Sequence, residues 1–188
     1  MPLNLPNLVT LLRILLIPLI VGVFYMPDAW LGEQGKNIAA TAIFVVAAIT
    51  DWLDGYLARK LNQMSAFGAF FDPVADKLVV IGALIVLLHL NRVDMVVALI
   101  IIGREIAISA LREWMAQLGQ ARSVAVAFIG KLKTVLQMVA IPLLLYEDPL
   151  FDLVECHALG TVLIYVAAVL TVASMLYYLR KALPLMRG

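Results

Sequence analysis

The chain has 188 residues, of which 64% are hydrophobic and only 14% are charged, and its formal net charge is +1. Soluble domains are closer to about half apolar and a quarter charged, so a water-soluble domain of this length could not bury so much apolar surface. The composition therefore excludes an ordinary soluble protein and indicates a membrane domain. There is no basic low-complexity tail, so we expect no nucleic-acid partner. The single cysteine, Cys156, excludes an intrachain disulfide and is interpreted as a small residue near a helix end.

Six apolar segments are long enough to cross a bilayer as helices, because about 20 residues span the hydrocarbon core. They cover approximately residues 7–25, 36–61, 65–90, 94–115, 124–146 and 155–183. The first is interpreted as a retained transmembrane helix, since Arg13 lies inside it and no small-residue cleavage site follows. Asn7 is its expected N-cap and Pro18 its expected kink. The apolar runs show no period-2 alternation, so β structure is not expected.

The predicted fold is all-α, a single polytopic membrane domain over residues 1–188 with six transmembrane helices and both termini cytoplasmic. Short connections predict antiparallel neighbours. If both termini share one side, the loops of that side and the end of the chain are rich in cations, namely Arg59, Lys60, Arg112, Arg122, Arg180, Lys181 and Arg187. The positive-inside rule assigns this side to the cytoplasm.

Four aspartates stand out, because a charge within a transmembrane segment is costly and suggests a function. Asp51 and Asp54 end the second apolar run, and Asp72 and Asp76 lie early in the third. Residues three or four apart share a helix face, so two antiparallel helices can present all four carboxylates to one cavity. Clustered carboxylates need a cation among them, and oxygen ligands suit magnesium or manganese. The pattern predicts a divalent metal site, and two such ions would suit phosphoryl transfer.

Glycines accompany the aspartates. Gly55 follows Asp54 directly and leaves room for a ligand, and Gly68 lies on the Asp72 face, where it lets helices approach closely. Arg59 lies one turn beyond Asp54. It is interpreted either as a contact to a diphosphate or as a positive-inside anchor.

A second group of charged residues is basic. Arg104 and Arg112 can share a face of the fourth helix, and Lys131 and Lys133 lie in the fifth. Together they predict a phosphate-binding pocket beside the metal site. The alternative for Arg112, Lys131 and Lys133 is snorkelling to lipid headgroups. The alternative for Arg104 is an ion pair with Glu105, which we weigh less because adjacent helical residues point apart.

These residues resemble the signature of the CDP-alcohol phosphatidyltransferase family, D-x2-D-G-x2-A-R-x8-G-x3-D-x3-D. The matching positions are Asp51, Asp54, Gly55, Ala58, Arg59, Gly68, Asp72 and Asp76. The stretches NLPNLVTLLR, GREIAISALREWMAQLG and VAVAFIGKLKTVLQM are similar to bacterial members that use glycerol 3-phosphate. The resemblance implies a six-helix homodimer in the bacterial inner membrane, with its active site open to the cytoplasm.

The resemblance also implies a reaction, the transfer of a phosphatidyl group from CDP-diacylglycerol to glycerol 3-phosphate with release of CMP. The four aspartates would hold two ions, Mg²⁺ or Mn²⁺, and Asp76 would also be the general base. The implied contacts to the CDP-lipid are Asn7, Thr10, Gly55, Arg59 and Ser65. Those to the acceptor phosphate are Arg104, Arg112, Lys131 and Lys133.

Other functions remain open at this point. The same reaction could use inositol phosphate, serine or phosphatidylglycerol as acceptor, although the four basic residues favour a phosphorylated one. A small ion- or proton-coupled transporter would also place charges in apolar helices. A conducting path, however, should distribute ionisable groups across the bilayer, whereas the aspartates cluster at one end.

Overall fold

The computed structural model describes residues 5–61, 66–119, 128–150 and 153–183, without the side chains of residues 5–6, 52–61, 66–67, 69 and 128. These ranges contain six helices: α1 (Leu5–Phe24), α2 (Glu33–Leu61), α3 (Ala66–His89), α4 (Met95–Gln117), α5 (Phe128–Tyr146) and α6 (Cys156–Ala182). In the same ranges the only β pairing is an isolated bridge between Leu150 and Val154. The all-α prediction is confirmed, and each helix lies within a few residues of its predicted bounds.

Two local predictions concern helix ends. Asn7 lies inside α1, which begins at Leu5, so its prediction as the N-cap is wrong. Its side chain is buried instead. Cys156 is the first residue of α6 and is buried, which confirms its interpretation as a small residue at a helix end. The capping side chain of α4 is Asp94, which accepts a hydrogen bond from the backbone N–H of Val96 at 2.8 Å.

Three helices within the described ranges are long and apolar enough to cross a membrane: Asn7–Phe24 of α1, Ile129–Tyr146 of α5 and Cys156–Ala182 of α6. The other three carry more charge, including Asp72 and Asp76 in α3 and Arg104 and Glu105 in α4. Membrane association therefore follows from the helices themselves. The count of six spans and the cytoplasmic position of both termini stay predictions.

The core lies where α1 packs on α2 and α3, α5 packs on α2 and α6, and α4 packs on α6. Its largest buried side chains include Phe44 of α2, Leu84 of α3 and Ile141 of α5. Large apolar side chains such as Leu15 and Val169 point outward, with more than half of their surface exposed. Contiguous apolar surface of this kind is unfavourable in water and suits a helix bundle solvated by lipid.

Close packing joins α5 to α6 at a glycine. A Cβ atom added at Gly160 would lie 2.8 Å from Cγ of Leu144. A larger residue there would push the two helices apart, because interior packing leaves no free space.

A buried arginine ties the connection between α3 and α4 to the end of α5. Arg92 donates hydrogen bonds to the carbonyls of Leu144 at 3.3 Å and Leu145 at 3.0 Å, and it pairs with Glu147 at 3.2 Å. These carbonyls belong to the last turn of α5, whose acceptors have no partners within the helix. Arg92 therefore supplies a C-terminal cap.

Candidate active site

The aspartates of α2 and α3 meet around an arginine of α1. Nη1 of Arg13 lies 3.0 Å from Oδ1 of Asp51 and also donates to Oδ1 of Asp76. Arg13 is 1% exposed, while the two carboxylates are 41% and 39% exposed. One guanidinium nitrogen thus contacts carboxylates from two helices at a position that is buried on the α1 side and open on the other.

A polar stripe on α1 continues this contact. Asn7, Thr10 and Arg13 are spaced three residues apart and are all buried. Thr10 Oγ1 donates a 2.6 Å hydrogen bond to Oδ1 of Asp72. Thr10 of the stripe therefore orients the Asp72 carboxylate of α3, and Arg13 of the stripe bridges Asp51 and Asp76.

The structure brings three of the four predicted metal ligands, Asp51, Asp72 and Asp76, to the polar stripe of α1. The side chain of the fourth, Asp54, lies outside the described residues, as do the side chain of Arg59 and the whole of Ser65. The backbone of Gly55 continues α2, and Gly68 is buried in α3. Among the described side chains, no three from His, Cys, Asp and Glu form a metal-binding group.

The described residues still fit a hard divalent cation. Asp51 and Asp76 already share a positive group, Nη1 of Arg13. Their donor atoms are carboxylate oxygens, which magnesium and manganese prefer. The position between the two aspartates is thus suited to positive charge by both geometry and ligand type.

A cavity of about 140 Å³ opens beside these aspartates. Its lining comes from four helices, α2 to α5, and consists of Asp51, Asp76, Lys77, Val80, Glu105, Thr134, Gln137 and Met138. We refer to it as the aspartate cavity. Lys77 is turned back to its own helix, where its Nζ donates to the carbonyl of Pro73 at 2.9 Å.

A second cavity, of about 380 Å³, lies between α4 and α5. Its lining residues are Arg104, Glu105, Arg112, Gly130, Lys131, Lys133, Thr134 and Val135. We refer to it as the basic cavity. All four residues predicted to bind a phosphate line this one cavity, although Lys131 and Lys133 lie two apart on α5. Lys133 is buried and Lys131 is exposed.

The low weight given to an Arg104–Glu105 ion pair is wrong. Nη1 of Arg104 lies 3.3 Å from Oε1 of Glu105, because the long side chains curve toward each other although their Cβ atoms diverge. Lys133 donates to the same oxygen. With 3% exposure and a carboxylate partner, Lys133 does not have the environment of a snorkelling side chain.

Helix α6 positions the two arginines. Arg104 donates to Oγ of Ser174 at 3.2 Å, and Arg112 donates to the Tyr178 hydroxyl at 3.4 Å. Both guanidinium groups also lie over the buried Tyr178 ring, 5.9 and 5.3 Å from its centroid. Cation–π contacts of this kind hold an arginine without neutralising it, so they leave the charge of Arg112 available to an anion, whereas Arg104 also shares Glu105 with Lys133.

Sequence reasoning missed several of these residues. Arg13 carried a usable signal, since a charge inside the first apolar run is costly unless it has a partner. The sequence indicates Glu105 only as a possible partner of the adjacent Arg104. Gln137, Ser174 and Tyr178 carried no signal, because an uncharged polar residue in a helix is common and its neighbours on other helices are not readable from spacing.

Comparison with known proteins gives a family and close relatives. The sequence model of the CDP-alcohol phosphatidyltransferase family matches residues 3–173. The chain is also similar to curated proteins named CDP-diacylglycerol–glycerol-3-phosphate 3-phosphatidyltransferase, from Escherichia coli strain K12, Shigella flexneri and Shigella boydii serotype 4. Each is 50% identical over 184 residues, which cover 97% of this chain and 96% of the relative.

Proposed function

The chain belongs to the CDP-alcohol phosphatidyltransferase family, and we propose that it transfers the phosphatidyl group of CDP-diacylglycerol to sn-glycerol 3-phosphate. The products are phosphatidylglycerophosphate and CMP, and the reaction serves the synthesis of phosphatidylglycerol and cardiolipin. The names of the relatives that are 50% identical over almost the whole chain support both substrates. Family membership also disfavours a transporter.

One observation in the structure carries the proposal: a cavity lined by carboxylates adjoins a cavity lined by cations, and Glu105 and Thr134 line both. Two substrates with phosphate groups need such an arrangement, in which one site activates the diphosphate and the other holds the acceptor phosphate. Guanidinium and ammonium groups bind phosphate oxygens directly. The aspartates repel phosphate oxygens unless a cation lies between them.

The proposed metal ligands are Asp51, Asp54, Asp72 and Asp76, for two Mg²⁺ or Mn²⁺ ions. When bound, the ions supply positive charge that stabilises the diphosphate and the departing CMP. Thr10 supports this set by holding Asp72 through its 2.6 Å hydrogen bond. Arg13 holds Asp51 and Asp76 from the buried side.

Asp76 is the proposed general base. It accepts the proton of the acceptor hydroxyl while that oxygen forms a bond to the β-phosphorus and the bond from phosphorus to the CMP oxygen breaks. Asp76 lines the aspartate cavity, and its side chain is 39% exposed. Orientation of the hydroxyl within this small cavity contributes as much as basicity, because a held nucleophile no longer has to be brought together with the phosphorus.

The remaining substrate contacts complete the proposal. Arg104, Arg112, Lys131 and Lys133 bind the phosphate of the acceptor, supported by their convergence on the basic cavity. The CDP part of the donor contacts Asn7, Thr10, Gly55, Arg59 and Ser65. The protein acts as a homodimer in the bacterial inner membrane, with six spans, both termini in the cytoplasm and the active site open to the cytoplasm.

The test is an acceptor screen with purified protein, CDP-diacylglycerol and Mg²⁺ or Mn²⁺, with CMP release as the readout. We expect release with glycerol 3-phosphate, loss of release with EDTA, and its recovery when the metal is restored. Serine, inositol phosphate and phosphatidylglycerol serve as the comparison acceptors. Release with one of these and none with glycerol 3-phosphate would contradict the proposed acceptor.

A further inference from the structure

The aspartate cavity and the basic cavity share two lining residues, which we call the wall between them. Glu105 of α4 and Thr134 of α5 line both cavities. A molecule whose phosphate lies among the cations and whose reacting end lies at Asp76 must pass this wall. Groups on the wall therefore face the middle of the acceptor and not its ends.

Gln137 is the unexplained residue on the aspartate side of the wall. It is 3% exposed and lines the aspartate cavity, and its Nε2 has no hydrogen-bond partner among the described residues. A buried amide nitrogen without a partner is destabilising, so such groups are rare unless they serve a ligand. Nothing in the proposed mechanism so far uses this donor.

Glu105 supplies the matching acceptor. Arg104 and Lys133 both contact its Oε1, and no described residue donates a hydrogen bond to Oε2. The hydroxyl of Thr134, which donates to the carbonyl of Gly130 at 3.0 Å, can also accept a hydrogen bond, but the charged carboxylate of Glu105 is the stronger acceptor. Among the described residues, Gln137 thus supplies a donor without a partner beside the wall, and Glu105 supplies a charged acceptor on it.

We propose that Gln137 and Glu105 recognise the middle hydroxyl of a three-carbon acceptor, with Gln137 Nε2 donating to its oxygen and Glu105 accepting its proton. A hydroxyl is the group that needs one donor and one acceptor together. These two residues are then the specificity determinants of the acceptor site, an inference that rests on the proposed function.

The spacing on α5 fits an acceptor of this length. Lys133 and Gln137 are four residues apart on one face of the helix, and both are buried. Four residues rise by about 6 Å along a helix axis, a distance that a three-carbon phosphate can cover. With its phosphate near Lys133, such an acceptor places its middle carbon at the wall and its far hydroxyl toward Asp76.

The experiment compares two acceptors that differ only in that hydroxyl, glycerol 3-phosphate and 3-hydroxypropyl phosphate, in the purified full-length protein with CDP-diacylglycerol and Mn²⁺. The variant is Gln137→Met, which keeps the length and shape of the side chain and removes the donor. We expect kcat/KM for glycerol 3-phosphate to fall by about tenfold or more, and that for 3-hydroxypropyl phosphate to change by less than about twofold.

The ratio of the two kcat/KM values is the decisive quantity, because the fraction of active protein cancels within each preparation. A substitution that only disturbs folding or packing lowers both values and leaves the ratio unchanged. Met138→Leu, a change at a neighbouring residue of the same cavity, is the matched control and should keep the wild-type ratio. If Gln137→Met does not accumulate in membranes, Gln137→Leu gives the same comparison.

Two outcomes have different meanings. If Gln137→Met lowers kcat/KM equally for both acceptors, or changes it for neither acceptor, the assignment of Gln137 is wrong while the proposed reaction stands. If the wild-type protein releases no CMP with glycerol 3-phosphate, the proposed function itself fails.

Discussion

Replacing Arg13 by methionine tests how the aspartates are held together. The guanidinium contacts Asp51 at 3.0 Å and also bonds Asp76, and the arginine is 1% exposed. Methionine keeps the apolar stem and removes the charge. The two carboxylates then lose the positive group that they share, and we expect the protein to lose stability when no metal is bound.

The size of the loss follows from burial. Removing one partner of a fully buried ion pair costs about 3–5 kcal/mol. Here the carboxylates are 41% and 39% exposed, so water screens part of their repulsion and we expect about 2–3 kcal/mol. A protein of this length loses roughly 2–4 °C in unfolding midpoint per kcal/mol, which gives a decrease of about 4–12 °C in EDTA.

Divalent metal should have the opposite effect on this variant. A dication bound by Asp51 and Asp76 competes with the Arg13 guanidinium for the same carboxylate oxygens. Removing the guanidinium should therefore tighten metal binding. Stabilisation by a ligand grows as RT ln(1 + [L]/Kd), and a tenfold lower Kd adds about 1.4 kcal/mol at saturation. Manganese should therefore raise the unfolding midpoint of Arg13→Met more than that of the wild type, measured in detergent over a manganese titration.

Arg92→Met is the matched control, because Arg92 is also a buried arginine with a carboxylate partner but caps α5 and does not touch the aspartates. It should lower the midpoint in EDTA and keep the wild-type gain with manganese. The reasoning is refuted if Arg13→Met unfolds within about 1 °C of the wild type in EDTA. It is equally refuted if manganese stabilises the two proteins by the same amount.

Three further substitutions test other parts of the site and fold. Asp76→Asn should keep the fold but lower CMP release by about a thousandfold or more, and near-normal turnover would remove Asp76 as the base. Lys133→Met should raise KM for glycerol 3-phosphate by about tenfold and leave KM for CDP-diacylglycerol unchanged, because only the acceptor phosphate loses a cation; equal changes in both constants would contradict this assignment. Gly160→Val should cost about 1–3 kcal/mol of stability in thermal unfolding, since the first added atom already lies 2.8 Å from Leu144, and an unchanged midpoint would show that the two helices separate freely.

The helices were predictable because their signal is local. A membrane-spanning helix needs an apolar run of about 20 residues, and such a run can be read directly from the sequence. All six predicted helices occur, with small differences at their ends. The N-cap at Asn7 failed for the same reason that most helix ends are uncertain. A polar residue before an apolar run can begin the helix or, as here, lie buried inside it against a neighbour.

The site was predictable only as far as spacing within one helix allows. The pairing of Asp72 with Asp76 on α3 and the shared face of Arg104 and Arg112 on α4 follow from helical periodicity. The bridge from Arg13 to Asp51 and Asp76 depends on how α1 packs against two other helices. That packing is a property of the whole bundle, so no spacing along the chain contains it.

The charge of the two cavities also determines which way an acceptor can lie. The basic cavity has four cations and one carboxylate, Glu105, which leaves an excess of three positive charges. The aspartate cavity has Asp51 and Asp76 on its wall. The phosphate of the acceptor is therefore attracted to the first, while in the proposed reaction the second holds the metal ions and the diphosphate of the donor, so the acceptor enters with its hydroxyl end toward Asp76. Serine has a single carboxylate charge that its own ammonium group offsets, so the excess positive charge would hold it less strongly than a phosphate, and the charge distribution favours a phosphorylated acceptor.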